Sequence, residues 1–294
     1  MISIVFITCN RKEELNKAII SCLDKVDEAY EIIVLDNNST DGTADCCRGL
    51  AERHGFRLNY IFSEKNLGVA SSRNIGFEAA TGDIVYFLDD DATIVTSDKC
   101  ISKVADFMRA NPLYPAVATE IYNVTHNYYQ CGAFPVKNSN SIKGEVFYFI
   151  GASHFINKAI VKKSILYPTE FFYGGEEYYL SFYLRKEGSK IYYYKEMLVH
   201  HIPSTSTRLS SDDRMLSSYS NAFNVKRYFS PFIFLPVIYG VMFVRMTLKC
   251  IKKPHLLKGF ISKINSGYNK DHRSPMKLSK FINLLFFFGS RTVL

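Results

Sequence analysis

The chain has 294 residues, of which 47% are hydrophobic and 22% are charged. This composition excludes a disordered chain, and the length suits one α/β domain with an appendage. The net charge of +8 is unevenly distributed, because residues 245–294 hold eleven Lys or Arg and one acid, Asp271. The basic character is therefore a property of the C-terminal region.

Seven cysteines are an odd number, and they form no C-x-x-C pair. This pattern favours reduced thiols in a cytosolic protein. The N-terminus, Met1-Ile2-Ser3-Ile4, lacks a basic segment and a small-residue cleavage site, which indicates a strand rather than a signal peptide. We therefore expect a cytoplasmic protein.

Apolar strands alternate with amphipathic helices through the first third of the chain. We predict strands at 2–8, 31–35, 57–62 and 84–88, with helices at 15–26, 43–54 and 69–80. Asn10 can cap the first helix, with Glu13 three residues later. The alternation predicts an open, mainly parallel sheet, in which ligands bind outside the carboxyl ends of the strands.

Polar groups follow three of these strands, at 8–11, 36–37 and 89–91. Three consecutive aspartates, Asp89, Asp90 and Asp91, repel one another unless a cation lies among them, and a divalent metal is the first candidate. Each group alone could be a solvated turn, but three at one edge favour a nucleotide and metal site. The glycine motifs of dinucleotide-binding and P-loop enzymes are missing from the sequence, so neither class is supported.

Four motifs resemble, in order and spacing, those of family 2 glycosyltransferases of GT-A fold. They are FITCNR at 6–11, IVLDNNSTDGT at 33–43, NLG at 66–68 with SRNIG at 72–76, and LDDD at 88–91. The segments 171–188 and 198–201 look like the family's acidic-pair helix, Arg-x-x-Gly turn and downstream histidine. The similarity covers about residues 1–205 and is closest to the rhamnosyltransferase-like enzymes of bacterial surface polysaccharides.

The resemblance implies a GT-A fold, in which helices flank a mainly parallel central sheet. The catalytic domain would be 1–205, with a nucleotide-binding half at 1–95 and an acceptor-binding half at 96–205. Residues 206–294 would form a basic helical C-terminal region. The implied reaction moves a sugar, usually with inversion, from a UDP-, dTDP- or GDP-linked donor to a hydroxyl of a saccharide or lipid-linked acceptor.

The resemblance also implies site residues. Asp91 and Asp89 would hold Mn²⁺ or Mg²⁺ together with a histidine, for which His200 is slightly favoured over His201. A structural role for both histidines stays open. The residues implied in binding the nucleotide and donor are Thr8, Asn10, Arg11, Asp36, Asn38, Gly68, Arg73, Asp89 and Asp90. For Arg73, the alternative is a surface helix residue paired with Glu78.

Glu177 is the expected catalytic base, with Glu176 as the alternative. An acceptor hydroxyl has a pKa far above 7, so a carboxylate must take its proton during attack. The chain departs from the family pattern by having Glu177 for the usual Asp and Tyr179 for a later acid. The two glutamates could instead only open a helix, where acids complement the dipole. A non-catalytic nucleotide-sugar-binding scaffold is therefore the alternative function. A sugar-1-phosphate nucleotidyltransferase is not favoured, because residues 8–11 lack its Gly-rich basic loop.

Aromatic residues are frequent at 121–150, and we expect them to lie mostly in the core of a second, mixed sheet, where some could stack on an acceptor. Further on, the apolar run at 231–244 has 14 residues, short of the roughly 20 that cross a bilayer. With the lysines that follow, it favours attachment to the anionic inner face of the cell membrane. Packing on the catalytic domain or a homodimer interface is the alternative. Nucleic-acid binding is not favoured, since no recognition motif accompanies the basic charge.

Overall fold

The computed structural model describes residues 1–131, 134–136, 144–163, 165–203, 210–251, 253–289 and 293–294. The chain divides into two compact units. The first unit is Met1–Leu166 with Ser189–Arg208, and the second is Tyr167–Gly188 with Leu209–Leu294. Tyr167–Gly188, which the sequence-based division assigned to the catalytic domain, thus groups with the C-terminal helices. The predicted boundary at 205–206 lies outside the described residues.

The first unit begins with alternating strands and helices, as the sequence predicts. They are β1 (Ile2–Thr8), α1 (Lys12–Leu23), β2 (Tyr30–Asn37), α2 (Thr43–His54), β3 (Arg57–Ser63), α3 (Gly68–Ala79) and β4 (Ile84–Leu88). There follow β5 (Ala92–Ile94), α4 (Cys100–Ala110), β6 (Ala116–Asn123), β7 (Tyr128–Cys131), β8 (Phe134–Val136), β9 (Gly144–Val146), β10 (Ser153–Asn157) and β11 (Ile191–His201).

These strands form one sheet with the order β3-β2-β1-β4-β10-β6-β11-β5, and β7, β8 and β9 join it beside this path. Strands β1 to β4 are parallel to one another, and β10 runs antiparallel between β4 and β6. The mainly parallel sheet flanked by helices is confirmed. The second sheet expected for the aromatic segment was wrong, because β6 pairs with β10 and β11 and so extends the same sheet.

The strand directions bring the polar groups that follow the strands to one edge of the sheet. Strand β10 is antiparallel to both of its neighbours, β4 and β6, and β11 is parallel to β6. Strands β6 and β11 therefore run in the same direction as β1, β2 and β4. Their carboxyl ends therefore meet at a single edge of the sheet. All five residues of β4 are buried, which explains why this strand is apolar without alternation. A rigid core thus ends directly in the three aspartates.

The second unit is helical. Its elements are α5 (Glu176–Glu187), α6 (Ser211–Phe229), a 3₁₀ turn (Phe232–Phe234), α7 (Leu235–Cys250), α8 (His255–Ser266), a second 3₁₀ turn (Lys270–His272) and α9 (Leu278–Phe288). Ser210 caps α6 by accepting a hydrogen bond of 3.1 Å from the Asp213 backbone N–H. The helices enclose a small core of their own, formed by α6, α7 and α8.

One helical run in the described part of the chain could cross a membrane by length and composition alone. It is Phe232–Cys250, with 19 residues, a mean hydropathy of 1.6 and 17% of the window buried. The helical run is longer than the 14 residues of uninterrupted apolar sequence, because it includes the 3₁₀ turn and continues past Arg245 and Lys249. Pro236 lies in the first turn of α7, where a missing N–H costs nothing, so it does not end the helical run.

Candidate functional site

The three aspartates lie in the turn between β4 and β5, and their side chains have different partners. Asp89 accepts a hydrogen bond of 2.8 Å from Arg73, while Asp90 accepts one of 2.8 Å from the Thr8 hydroxyl. Asp90 and Asp91 are both buried. The backbone fixes the turn, because the Asp89 N–H donates to Ala152 O at 2.9 Å. The carboxylates thus point to different partners, which reduces the repulsion predicted for three adjacent acids.

Arg11 supplies a positive charge to this turn. Its Nη1 lies 2.7 Å from Asp90 Oδ1 and 3.3 Å from Asp91 Oδ2, and all three side chains are buried. Burial raises the pKa of Asp90 to about 7, although the Arg11 charge acts in the opposite direction. Both carboxylate oxygens of Asp90 thus contact protein groups, since Oδ2 accepts from Thr8 and Oδ1 contacts Arg11.

A histidine completes a group of possible metal ligands. One ligand atom each from Asp89, Asp91 and His201 lie within 4.8 Å of one another. His201 Nε2 is 3.3 Å from Asp91 Oδ1, and Nδ1 is 2.9 Å from Gln130 Oε1. His200, the residue favoured from the sequence, instead has its ring 5.6 Å from that of Tyr122. Adjacent residues on β11 point to opposite faces of the sheet, so only His201 joins the group.

The donor set fits a divalent cation. Gln130 Oε1 can only accept, so the contact at Nδ1 favours the tautomer with its proton there and directs the Nε2 lone pair towards Asp91. Nε2 is buried and makes no hydrogen bond within the described residues. Two carboxylate oxygens and one imidazole nitrogen suit Mn²⁺, while Mg²⁺ prefers oxygen ligands alone.

Arg73 is held inside the first unit rather than on its surface. Its Nη2 donates to Asp89 Oδ1 at 2.8 Å and to Gly151 O at 2.9 Å, and the side chain is 3% exposed. The alternative of a surface pair with Glu78 was wrong. A Cβ at Gly151 would lie 2.8 Å from Arg73 Nη1, so a side chain at this position would require the guanidinium or the loop to shift.

His154 supports the same loop. It is fully buried between Phe87 and Phe149, with ring centroids 5.0 and 4.4 Å away, and its Nδ1 contacts Gly151 O at 3.1 Å. Burial, followed by the charge of Arg73, lowers its pKa well below the ordinary value. A neutral His154 thus holds Gly151 in place beneath Arg73. Neither Gly151 nor His154 was predicted as a site residue.

Asp36, at the end of β2, is also buried, and both of its carboxylate oxygens accept hydrogen bonds. Its Oδ1 accepts a 2.7 Å hydrogen bond from the Ser39 backbone N–H, and its Oδ2 accepts one from the Tyr60 hydroxyl. This contact raises the Tyr60 pKa in addition to the effect of burial. Asp36 pairs in register with Thr8 on β1, so both lie at the edge that carries the aspartates. Sequence reasoning missed Tyr60, which is 24 residues away along the chain.

The loops after β1 and β2 are tied together. Asn10 Oδ1 accepts from the Thr40 N–H at 2.7 Å, and the Asn10 N–H donates to Ser39 Oγ at 2.8 Å. The expected helix cap by Asn10 was therefore wrong, and Asp41 instead accepts from the Lys12 N–H at 2.9 Å. Asn38 is exposed, with a left-handed φ of 68°.

Gly68 begins α3 with a φ of 78°, a conformation that favours glycine. It is buried, and its N–H donates to Asn66 Oδ1 at 2.9 Å. Through this turn, the NLG motif starts the helix that carries Arg73. Gly68 thus has a clear structural role beside the predicted role in binding.

Glu176 and Glu177 lie in the second unit, in the first turn of α5. The turn before them contains Gly174 and Gly175, both with positive φ, and Asn221 of α6 donates to Gly174 O at 2.7 Å. This tight approach fixes the start of the helix. Acids in the first turn of a helix complement its dipole, so this position fits the alternative that the two glutamates open the helix.

Tyr179, which stands where the family pattern has an acid, is buried and has partners of its own. Its hydroxyl is 3.4 Å from His272 Nδ1, and His272 Nε2 is 3.4 Å from Glu170 Oε2. Burial raises the Tyr179 pKa to about 12. Tyr179 is therefore a neutral structural residue that connects α5 to the 270–272 turn.

The chain is similar in sequence to known proteins. The model of the family "Glycosyl transferase family 2" matches residues 3–165. An uncharacterized protein of Haemophilus influenzae is 32% identical over 57% of this chain and 93% of its own. An undecaprenyl-phosphate 4-deoxy-4-formamido-L-arabinose transferase of Edwardsiella ictaluri is 33% identical over 31% of this chain and 29% of its own.

A solved structure shares the fold. The mannosyltransferase PcManGT of Pyrobaculum calidifontis, in complex with GDP-Man and Mn²⁺, superposes with a TM-score of 0.60 at 15% identity. The match covers 97% of this chain and 75% of that one. At this identity the likeness confirms the GT-A architecture predicted from the motifs.

Proposed function

The chain belongs to glycosyl transferase family 2, and we propose that it is an inverting, metal-dependent glycosyltransferase of bacterial surface polysaccharide synthesis. It would transfer a sugar from a nucleotide-diphosphate sugar to a hydroxyl of a saccharide or lipid-linked acceptor. The observation that carries this proposal is the meeting of Asp89, Asp91 and His201 with Arg11 and Arg73 at the carboxyl edge of the sheet.

The donor site would use the residues at this edge. Asp36, held by Tyr60 and Ser39, would accept a hydrogen bond from the nucleotide base, with Thr8 beside it. Asp89 would accept a hydrogen bond from the ribose or the sugar, and Arg73 would keep its carboxylate in that orientation. Asp91 and His201, with Asp89, would hold Mn²⁺ or Mg²⁺, which when bound neutralises charge on the diphosphate leaving group.

Transfer would proceed by a single displacement. The acceptor oxygen forms a bond to the anomeric carbon as the bond from that carbon to the diphosphate oxygen breaks, which inverts the configuration. The acceptor proton passes to the carboxylate of Glu177, or of Glu176, as the attack proceeds. Arg11, which already balances Asp90 and Asp91, limits the negative charge that a diphosphate would meet.

The location follows from the substrates that such an enzyme uses. We propose that the protein acts in the cytoplasm at the inner face of the cell membrane. The resemblance of the chain to an undecaprenyl-phosphate transferase supports a lipid-linked acceptor, which is confined to the membrane.

The test separates a glycosyltransferase from a scaffold of the same fold. The purified chain is incubated with UDP-, dTDP- and GDP-sugars, with Mn²⁺ or with a chelator, and both thermal stability and released nucleoside diphosphate are measured. We expect one donor class to raise the melting temperature and release nucleotide only with metal.

Two variants test which residues act in metal binding and in proton transfer. Asp91→Asn should lose metal-dependent stabilisation and turnover together, and Glu177→Gln should keep donor binding while losing turnover. Donor binding by the wild type without turnover across a broad acceptor panel would instead favour the scaffold. Full turnover by Glu177→Gln would exclude that residue as the base.

A further inference from the structure

Helix α7 exposes large apolar side chains along one side. With the preceding 3₁₀ turn it forms the run Phe232–Cys250, of which only 17% of the apolar window is buried. We define the α7 surface by six side chains that are 55–72% exposed: Phe232, Ile233, Phe243, Val244, Leu248 and Ile251. A large exposed apolar surface is normally covered by protein or by lipid.

The opposite side of α7 is attached to the second unit along its length. Ile238, Met242, Met246 and Cys250 recur at four-residue intervals and are buried in the core with side chains of α6 and α8. Helix α6 carries Asp212 and Asp213 in its first turn, which oppose entry into hydrocarbon. Since α7 lies against this charged helix, partial insertion from one side fits the structure better than a full crossing.

The C-terminal region that carries the α7 surface is basic. Lys249, near the end of α7, and Lys258 of α8 are exposed, while Lys253 pairs with Asp212 of α6 at 2.8 Å. Long lysine side chains can keep their charge at the headgroups while their methylene groups rest on apolar surface. Because Asp271 is the single acid after residue 244, this charge complements an anionic lipid surface.

A second apolar segment lies on α9 of the same unit. Phe286 and Phe287 are 86% and 69% exposed. The start of α9 is joined to the turn before α7, because the rings of Phe281 and Phe234 are 4.9 Å apart. The two apolar segments are therefore parts of one folded unit and not separate tails.

We propose that the α7 surface inserts into one leaflet of an anionic bilayer, with the neighbouring lysines on the headgroups. A second copy of the chain fits less well, since a two-fold interface would bring the same basic residues of both copies together. The inference does not depend on glycosyl transfer, because it rests on exposure and charge in the second unit alone.

The experiment uses the full chain and needs no nucleotide sugar. Binding is measured by co-sedimentation with vesicles of phosphatidylcholine, alone or mixed with phosphatidylglycerol. We expect binding to the anionic vesicles that weakens with salt. The double variant Phe243→Glu/Leu248→Glu should bind at least about tenfold more weakly, since it places two charges in the apolar layer. Leu113→Glu, an equally drastic change at a residue of the first unit that is 48% exposed, should bind like the wild type.

A charge-reversal variant tests the contribution of the lysines. Lys249→Glu/Lys258→Glu should reduce binding to the anionic vesicles, with circular dichroism confirming that each variant folds. Unchanged binding of the Phe243→Glu/Leu248→Glu variant would overturn the proposal. Light scattering that shows this variant as a monomer and the wild type as a dimer, with equal vesicle binding, would assign the surface to a second copy. Resistance of membrane-bound protein to alkaline carbonate extraction would overturn partial insertion in favour of a spanning helix.

Discussion

The imidazole of His201 faces the carboxylate of Asp91, with 3.3 Å between Nε2 and Oδ1, and both side chains are buried. The other ring nitrogen is 2.9 Å from Gln130 Oε1, which favours a lone pair on Nε2. Two acceptor atoms this close repel each other unless a cation or a proton lies between them. Substitution of His201 therefore tests the proposed metal site directly.

We predict that His201→Ala lowers the affinity for Mn²⁺ at least about tenfold, because one of the three proposed protein ligands is lost. Isothermal titration of Mn²⁺ into the full chain measures this. His200→Ala is the matched control, since it removes a histidine from the next position of β11 and should leave the affinity unchanged. Equal losses in both variants would contradict the assignment to His201.

Gly151→Ala should displace Arg73. The new Cβ would lie 2.8 Å from Arg73 Nη1, so the guanidinium must leave Asp89 or the backbone must move, at a cost of about 1–3 kcal/mol. We expect a lower free energy of unfolding in urea and weaker donor binding. Gly49→Ala, in α2 with nothing within 4 Å of its Cβ, is the control and should be neutral or slightly stabilising. If Gly151→Ala were as stable as the wild type, the loop around Gly151 would have to accommodate the added methyl group without cost.

Sequence reasoning succeeded where the signal is local. Continuous apolar runs predicted the buried strands, and the alternation of strands with helices predicted that the polar groups after β1, β2 and β4 meet at one edge of the sheet. Both depend on the periodicity of a few consecutive residues, which the sequence displays directly.

Sequence reasoning failed where residues distant in the chain determine the orientation or the contacts of a side chain. The register of β11 shifts between Tyr194 and Leu198, so the face of His200 cannot be counted from the start of the strand. Asn10 was predicted as a cap from its neighbours, but its side chain is occupied by Thr40, 30 residues away. Gly151 meets Arg73 across 78 residues of sequence, and no local pattern could reveal that contact.

Arg11→Met should destabilise the first unit. The substitution keeps an aliphatic side chain but leaves Asp90 and Asp91 buried without this cation, which costs roughly 3–5 kcal/mol. Urea unfolding in the presence of a chelator measures the loss. Arg48→Met is the control, because Arg48 pairs with Asp45 on the exposed surface and such pairs contribute about 0–1 kcal/mol. Adding Asp90→Asn to Arg11→Met should recover part of the stability, and a strictly additive double variant would argue against the pair.

Lys226 is a buried lysine of α6, only 4% exposed, with its Nζ 5.9 Å from the centre of the Tyr178 ring. Burial first, and then the charge of Arg245, lowers its pKa to about 7. The unfolded chain holds this proton up to its ordinary pKa of about 10.4. Between these two values the unfolded state binds more protons than the folded state, so stability rises with pH through this window. Below pH 7 the full cost of the buried charge remains.

Lys226→Met should therefore stabilise the second unit most at low pH. We expect its free energy of unfolding to exceed that of the wild type by up to roughly 4 kcal/mol near pH 6, since each pKa unit corresponds to about 1.4 kcal/mol. The difference should shrink steadily as the pH rises from about 7 to above the ordinary lysine pKa of about 10.4, where the lysine is neutral in both the folded and the unfolded chain. Lys258→Met, at an exposed lysine, should show no such trend. A stabilisation by Lys226→Met that is the same at all pH values would mean that packing, and not the buried charge, is responsible.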